Sequence, residues 1–122
     1  MPNPLNLKNE NIAGSRFDDI NMSKTTFENI NLSGSTFHDI NFSDVSFSAA
    51  QIGGTTFKHI GPPPHSGQTQ RPVTFEEATL QGSVFRKVNL SDVKLIECDM
   101  RGMTIDGILI NDLLDAYKRM KG

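Results

Sequence analysis

Three histidines and the acids spaced near them are the residues whose types could support chemistry. Asp18 and His38 are twenty residues apart, and Asp39 and His59 are spaced in the same way. A carboxylate beside an imidazole can bind a metal or move a proton. The five-residue repeat of this sequence, however, would place these residues at a convex corner without a pocket. Lys58 would lie beside them there and repel a cation. We therefore expect no catalytic residue and no metal site. An enzyme or metal site at the edge formed by His38 and His59 is the second of two alternatives to our leading hypothesis.

The rest of the sequence has no recognisable catalytic or cofactor-binding motif. It contains no phosphate-binding glycine motif, nucleophile elbow or zinc-ligand spacing. His65 has no obvious partner in its own segment. We expect a protein that is not an enzyme and that needs no cofactor.

Composition and charge limit the class of protein further. The chain has 122 residues, enough for one domain, and 36% of them are hydrophobic. Its net charge is −2 at pH 7, so no strong field favours nucleic acid or an anionic membrane. The N-terminus does not resemble a signal peptide, and no apolar run is long enough to cross a membrane. Cys98 is the only cysteine, which rules out an internal disulfide and favours a cytoplasmic location.

A period of five residues organises the first half of the chain. Between Ile12 and Ile60 a large apolar residue stands at every fifth position, which we call a centre, and a small or apolar residue stands two positions before most centres. This period matches neither an α-helix nor a flat strand. The chain must turn a corner every five residues to keep both positions on one side.

These residues resemble the pentapeptide-repeat family, whose units follow the pattern A-(D/N)-L-x-x. The segments 30–34, 40–44 and 88–92 read INLSG, INFSD and VNLSD, and the resemblance covers roughly residues 5 to 110. It implies an all-β fold, a right-handed quadrilateral β-helix in which four pentapeptides form each coil. A chain of this length makes about five coils. A single unit cannot bury its apolar face, whereas stacked coils share a continuous interior.

Residues twenty apart stack in such a coil. Phe17, Phe37 and Phe57 then form one internal ladder, and Phe27 and Phe47 form another on the opposite wall. Seven phenylalanines are the predicted structural core: Phe17, Phe27, Phe37, Phe47, Phe57, Phe75 and Phe85. Cys98 occupies an inward position and is expected to be a buried small apolar residue.

A ten-residue alternation is superimposed on the period of five. In the first half of the chain, the phenylalanines of the two ladders alternate with mostly aliphatic centres. An amide side chain directly precedes each centre of this second kind, at Asn11, Asn21, Asn31, Asn41 and Gln51. We predict that these side chains bond to the corner backbone, as asparagine does in turns. Glycines two residues after a centre are predicted to serve the corners and not a ligand.

The segment Gly61–Pro72 interrupts the repeat. Three consecutive prolines cannot join a β ladder, and the glycines favour an exposed loop. Either thirteen residues are inserted between adjacent sides, or one side is replaced and eight residues are added. The second possibility restores the alternation and is preferred. Loops on a rigid scaffold often bind partners, although a tolerated insertion without a role is also possible. The candidate binding residues are Pro62, Pro63, Pro64, His65, Gln68 and Arg71.

The second repeat block spans residues 73–110, and residues 111–121 change to a helical period. Asn111 or Asp112 can cap this helix, and basic residues suit its C-terminal end. Four apolar residues share one face: Leu113, Leu114, Tyr117 and Met120. That face would cover the open last coil or form a homodimer contact. The chain 1–122 is thus predicted to be one domain, with a first block at 5–60, the loop at 61–72, the second block and the helix.

Surface recognition is the function that these features leave. Our leading hypothesis is a non-enzymatic scaffold or interaction module that binds another protein, as a monomer or a homodimer, without membrane or direct nucleic-acid binding. The family resemblance suggests an alternative, a DNA-mimicking binder of a type II topoisomerase, as in quinolone resistance. A DNA mimic needs a dense acidic surface, and the interleaved bases Arg86, Lys87, Lys94 and Arg101 argue against it.

Overall fold

The computed structural model describes residues 3–122. The predicted domain 1–122 includes residues 1 and 2, which lie outside the described residues. The chain divides into two units, Met1–Phe57 and Lys58–Gly122. Both units are built from corners that recur along the chain, and the second ends in a short hairpin and a helix.

Hydrogen-bonded turns begin at every second centre of the repeat. In the first turn the Ser15 amide donates to the Ile12 carbonyl oxygen at 3.1 Å, and Gly14 has a φ of 82°. A hydrogen-bonded four-residue turn with a positive φ at its third residue, but not at its second, has type II geometry. The same bond begins at Met22, Leu32, Phe42, Ile52, Leu80, Leu90 and Met100.

The centres between these turns are followed by a different corner. Two residues after Phe17, Asp19 has a φ of 55°, and the chain bends there. Residues with similar φ values follow the other alternate centres: Asn9, Asn29, Asp39, Ala49, His59, Glu77, Lys87 and Glu97. The ten-residue alternation of the sequence is therefore an alternation of two corner types.

The asparagines before the turn centres close the first kind of corner. The Asn11 side chain accepts a hydrogen bond from the Ala13 amide at 3.0 Å, which confirms the bond predicted at this residue, whereas Gln51, predicted to do the same, makes no such bond among the residues that the structure describes. Four more asparagines accept the amide two residues ahead at 2.9 Å: Asn21, Asn31, Asn41 and Asn89. The Ser33 hydroxyl also donates to the Asn31 side chain.

Most of the apolar centres are exposed in this structure. The seven predicted core phenylalanines are 54–72% exposed, and no residue in the described part of the chain is buried. Within each unit, no two described residues twelve or more apart have Cα atoms within 8 Å. Paired strands lie about 4.8 Å apart, so the expected stacking of residues twenty apart is not found.

The predicted corners are present and the predicted stacking is not found, and this difference has a physical reason. A corner needs only residues one to three positions apart, whereas each stacked winding must first close a loop of twenty residues and lose the corresponding entropy. Neighbouring centres do meet locally. The Phe42 ring lies 5.7 Å from the Phe37 ring and 5.9 Å from the Phe47 ring, measured between centroids. Phe37, Phe42 and Phe47 therefore lie on a common side of the chain.

A hairpin and a helix end the second unit. Strand β1 (Thr104–Ile105) pairs antiparallel with β2 (Ile108–Leu109) through the two-residue turn of Asp106 and Gly107. Both turn residues have a positive φ, 48° and 81°, which is the type I′ geometry that suits a hairpin. Residues 104–110, expected to continue the repeat, instead form this hairpin and begin the helix.

Helix α1 (Ile110–Lys121) follows β2 without a loop. Its first amide, that of Ile110, donates to the Met103 carbonyl oxygen at 2.9 Å and so links the helix to the hairpin. The helix begins one residue earlier than predicted. Asn111 and Asp112 lie inside it, and Leu109 is the N-cap residue without a side-chain hydrogen bond. Lys118, Arg119 and Lys121 lie in the last turn, where positive charge is favourable.

Within residues 3–122, no helix has both the length and the apolar character that a membrane crossing requires.

Candidate functional site: the interrupting loop

The loop Gly61–Pro72 contains a hydrogen-bonded turn of its own. The Ser66 amide donates to the Pro63 carbonyl oxygen at 3.2 Å, and His65 has a φ of 61°. The turn therefore has the type II geometry of the repeat corners. Proline suits its second position, Pro64, because the ring fixes φ near −65°.

The two ends of the loop differ in exposure and in local bonding. Pro62 is half-buried, whereas the residues from Pro63 to Pro72 are exposed. Beyond the turn, the Gln68 amide donates to the Ser66 hydroxyl oxygen at 3.2 Å, and Gly67 has a φ of 73°. All six candidate binding residues lie in this segment, but the three prolines and His65 belong to the first part and Gln68 and Arg71 to the second.

The histidine edge does border a concavity, although none was expected there. An open space of about 460 Å³ in the first unit is lined by Arg16, Phe17, Asp18, Thr36, His38 and Ile40. His38 also lies 3.5 Å from the Asp39 carboxylate, measured between Nε2 and Oδ2. His59 does not line this space. It lies in the second unit, at a bend with a φ of 55°.

The acid and histidine beside this concavity are exposed to solvent. The side chains of His38 and Asp39 are 87% and 91% exposed, so no burial desolvates them. Among residues 3–122, no group of three or more histidine, cysteine or acidic side chains is arranged to hold a metal ion. The lining comes from segments twenty residues apart, which is the spacing that the predicted coil would bring together.

An ion pair that the sequence did not predict lies at the last repeat corner. The Arg101 guanidinium donates to the Asp99 carboxylate from Nε, at 3.0 Å to Oδ1 and 3.1 Å to Oδ2, and from Nη2, at 2.6 Å to Oδ2. The Arg101 amide donates to the same carboxylate at 3.1 Å, so Asp99 takes the place of a corner asparagine. The side-chain bonds from Arg101 lower the pKa of Asp99 to about 2. The sequence signal for this pair was an aspartate at the position of a corner asparagine, followed two residues later by an arginine.

Cys98 also differs from its expected environment. The side chain is exposed, and its Sγ lies 3.4 Å from the Ile96 carbonyl oxygen. Its predicted burial depended on the stacking of windings, which is not found among the described residues of its unit.

The apolar face of α1 is partly covered near the hairpin and open at its far end. Leu113 and Leu114 are 38% and 39% exposed, whereas Tyr117 and Met120 are 59% and 88% exposed. The Lys121 ammonium lies 5.7 Å from the centroid of the Tyr117 ring, within the range of a cation–π contact. The helix contacts β2, and this contact lies at its N-terminal end.

Comparison with known proteins identifies the repeat. A family model described as pentapeptide repeats, in nine copies, matches residues 6–46, and a second one, in eight copies, matches residues 73–107. Neither match includes the loop or α1. No curated protein and no solved structure matches the chain. Two separate matches to the same repeat, on both sides of the loop, show that the chain belongs to the pentapeptide-repeat family.

Proposed function

We propose that this chain is a non-enzymatic scaffold that binds another protein. The observation that carries the proposal is the regular succession of two corner types in both blocks, interrupted once by a segment that belongs to neither family match. Repeats of this family imply a β-helix solenoid, and solenoids present extended surfaces for recognition. A rigid scaffold with one irregular loop is a common arrangement for binding.

The scaffold in this proposal is a right-handed quadrilateral β-helix of about five coils within a single domain, 1–122. The alternation of corners every ten residues supports it, because two pairs of corners return the chain to the same side after twenty residues. The Phe37, Phe42 and Phe47 ring contacts also support it, since they bring consecutive centres to one side. The seven phenylalanines would fill the interior once the windings close.

The loop is the proposed binding surface, together with a face of the β-helix. It offers Pro62, Pro63, Pro64 and His65 on its first part, and Gln68 and Arg71 on its second part. Apart from Pro62, these residues are exposed, as contact with a partner requires.

The C-terminal helix is proposed to cover the open last coil or to join two copies into a homodimer. Tyr117 and Met120 give it an exposed apolar surface at the end away from the hairpin. An uncovered end of a β-helix presents apolar residues and unpaired backbone groups, which promote aggregation. Either covering removes that hazard.

The charge pattern favours a protein over nucleic acid as the partner. The chain carries 12 basic and 14 acidic residues, interleaved along both blocks. Direct binding of nucleic acid needs a basic surface, and imitation of DNA needs a dense acidic one, so neither is supported. Pentapeptide-repeat proteins are generally non-enzymatic, and we propose the same of this chain, without a cofactor and with a cytoplasmic location.

A loop replacement tests the proposal. The intact chain and a variant with Gly61–Pro72 replaced by a short Gly-Ser turn are compared in cross-linking pull-downs, after both give the same circular dichroism spectrum. We expect the replacement to lose a protein that the intact chain recovers. The control variant Glu10→Gln, outside the loop, should recover that protein as the intact chain does. Equal recovery by all three proteins would remove the loop's role in binding.

A further inference from the structure

The loop contains the corner that the repeat would otherwise lack. Hydrogen-bonded turns and bends alternate along the chain, and bends at His59 and Glu77 flank the loop. An alternating series requires one hydrogen-bonded turn between two bends. The turn from Pro63 to Ser66 is such a turn, with the same bond and the same sign of φ at its third residue.

The register supports this assignment. Counting five residues from the Phe57 centre gives position 62, and Pro62 is half-buried, as are two of the eight turn centres, Leu80 and Met100. The turn itself begins at Pro63, one residue late. The next centre, Phe75, follows Pro63 by twelve positions where the repeat has five. One extra residue before the turn and seven after it account for the eight residues that the loop adds.

We infer that the loop has two parts with separate roles: Pro62–Ser66 is a repeat corner, and Gly67–Pro72 is the projecting surface that meets the partner. This inference rests on the proposed function for the partner and on local geometry for the division. It assigns recognition to Gln68, Thr69 and Gln70, whose side chains carry amide and hydroxyl groups. These groups fit a polar protein surface that exchanges hydrogen bonds.

The same division argues against a partner that recognises proline-rich peptides. Such domains bind a continuous polyproline helix in an aromatic groove. The left-handed φ of His65 and the hydrogen bond that closes the turn end any extended conformation directly after Pro64. The prolines therefore shape the corner and are not the recognised feature.

Two excisions of equal length test the division without any partner. One variant lacks Pro62–Ser66 and the other lacks Gly67–Arg71, five residues in each case. We expect the first to lower the midpoint of thermal unfolding by several degrees and the second to leave it nearly unchanged. Equal midpoints for the two variants would overturn the inference and leave the loop's proposed role in binding intact.

Substitutions at His65 give a second measurement that does not depend on excision. His65→Gly should raise the unfolding midpoint by a few degrees, because glycine adopts a positive φ without the cost that a side chain adds. His65→Val should lower it. Thr69→Gly, in the projecting part, serves as the control and should not raise it, because Thr69 has no positive φ to relieve. A lower midpoint for His65→Gly would contradict the turn assignment.

A purified SH3 domain that binds proline-rich peptides is the probe for the partner class. We expect no binding to the intact chain. Binding that Pro63→Ala abolishes would overturn the assignment of recognition to the polar part.

Discussion

The third residue of each hydrogen-bonded turn sets how well that turn closes. Five turns have glycine there, and their bonds are 3.0–3.1 Å long. Four turns have Lys24, Asp44, His65 or Asp92, with φ values of 61–63°, and their bonds are 3.2–3.3 Å long. A side chain in the left-handed region costs about 1–2 kcal/mol relative to a favourable conformation. The longer bonds are consistent with that strain.

Replacing a strained residue should therefore stabilise the chain. We expect Lys24→Gly to raise the free energy of unfolding by about 1 kcal/mol, measured by chemical denaturation. Ser23→Gly is the matched control: Ser23 does not have a positive φ, so the change should lower stability through added chain entropy. A loss of stability in Lys24→Gly would contradict the assigned turn.

The ion pair of Asp99 and Arg101 should make the last repeat corner sensitive to acid. The pKa of Asp99 is lowered to about 2 in the folded chain, against about 3.9 in an unfolded one. A lowered folded pKa contributes stability above the unfolded pKa, and this contribution is lost as the pH falls from about 4 towards 2. The pair is exposed, so the effect should be small.

Asp99→Asn tests this contribution while keeping an acceptor for the corner amide. We expect the variant to lose part of the dependence of unfolding on pH between about 4 and 2. Asp106→Asn, at an aspartate that makes no comparable pair with an arginine, is the control. Identical pH profiles for the wild type and Asp99→Asn would show that the pair contributes nothing.

At the scale of elements, the hairpin and α1 form one continuous structure. The type I′ turn at Asp106 and Gly107 sets the register in which Ile105 faces Ile108, and the Ile110 amide then bonds back to Met103. A strand that leads directly into a helix in this way fixes the starting point of the helix. The position of α1 therefore depends on the turn as well as on the helix's own apolar face.

Gly107→Ala should destabilise the type I′ turn and, through it, the hairpin and the start of α1. Gly107 has a φ of 81° and no atom within 4 Å of an added Cβ, so the cost is conformational and not steric. We expect faster hydrogen exchange at the Ile110 amide and a free energy of unfolding lower by about 1 kcal/mol.

Gly53→Ala is the matched control for this substitution. Gly53 also has open space around an added Cβ, but its φ is not positive. The change should be neutral or slightly stabilising. Similar effects of the two substitutions would contradict the assigned turn type.

Local features were easier to predict from the sequence than non-local ones. The corner spacing, the asparagine bonds and the glycine corners followed from residue types one to three positions apart. The hairpin was missed, although Asp-Gly between two isoleucines is a strong hairpin signal, because the period of five appeared to continue through it. The concavity beside His38 depends on segments twenty residues apart, and residue types alone do not fix such distances.

For the whole molecule, the proposed β-helix requires that successive windings of twenty residues stack on one another. Corner geometry alternates with the correct period, and both blocks belong to a family whose repeats imply a β-helix solenoid. The apolar centres, 40% or more exposed in the first block, would gain about 25 cal/mol for each Å² of apolar surface that stacking buries. The hydrophobic effect therefore favours closing the windings.

Disulfide formation between engineered cysteines tests that closure most directly. In a Cys98→Ser background, the pair Thr36→Cys and Thr56→Cys lies twenty residues apart, and stacking would bring their Cα atoms to about 4.8 Å, within disulfide range. The control pair, Thr26→Cys and Thr36→Cys, is ten residues apart and would lie on opposite sides. The account predicts an intramolecular disulfide in the first pair only. Its absence there, or equal formation in both pairs, would contradict the stacked coil.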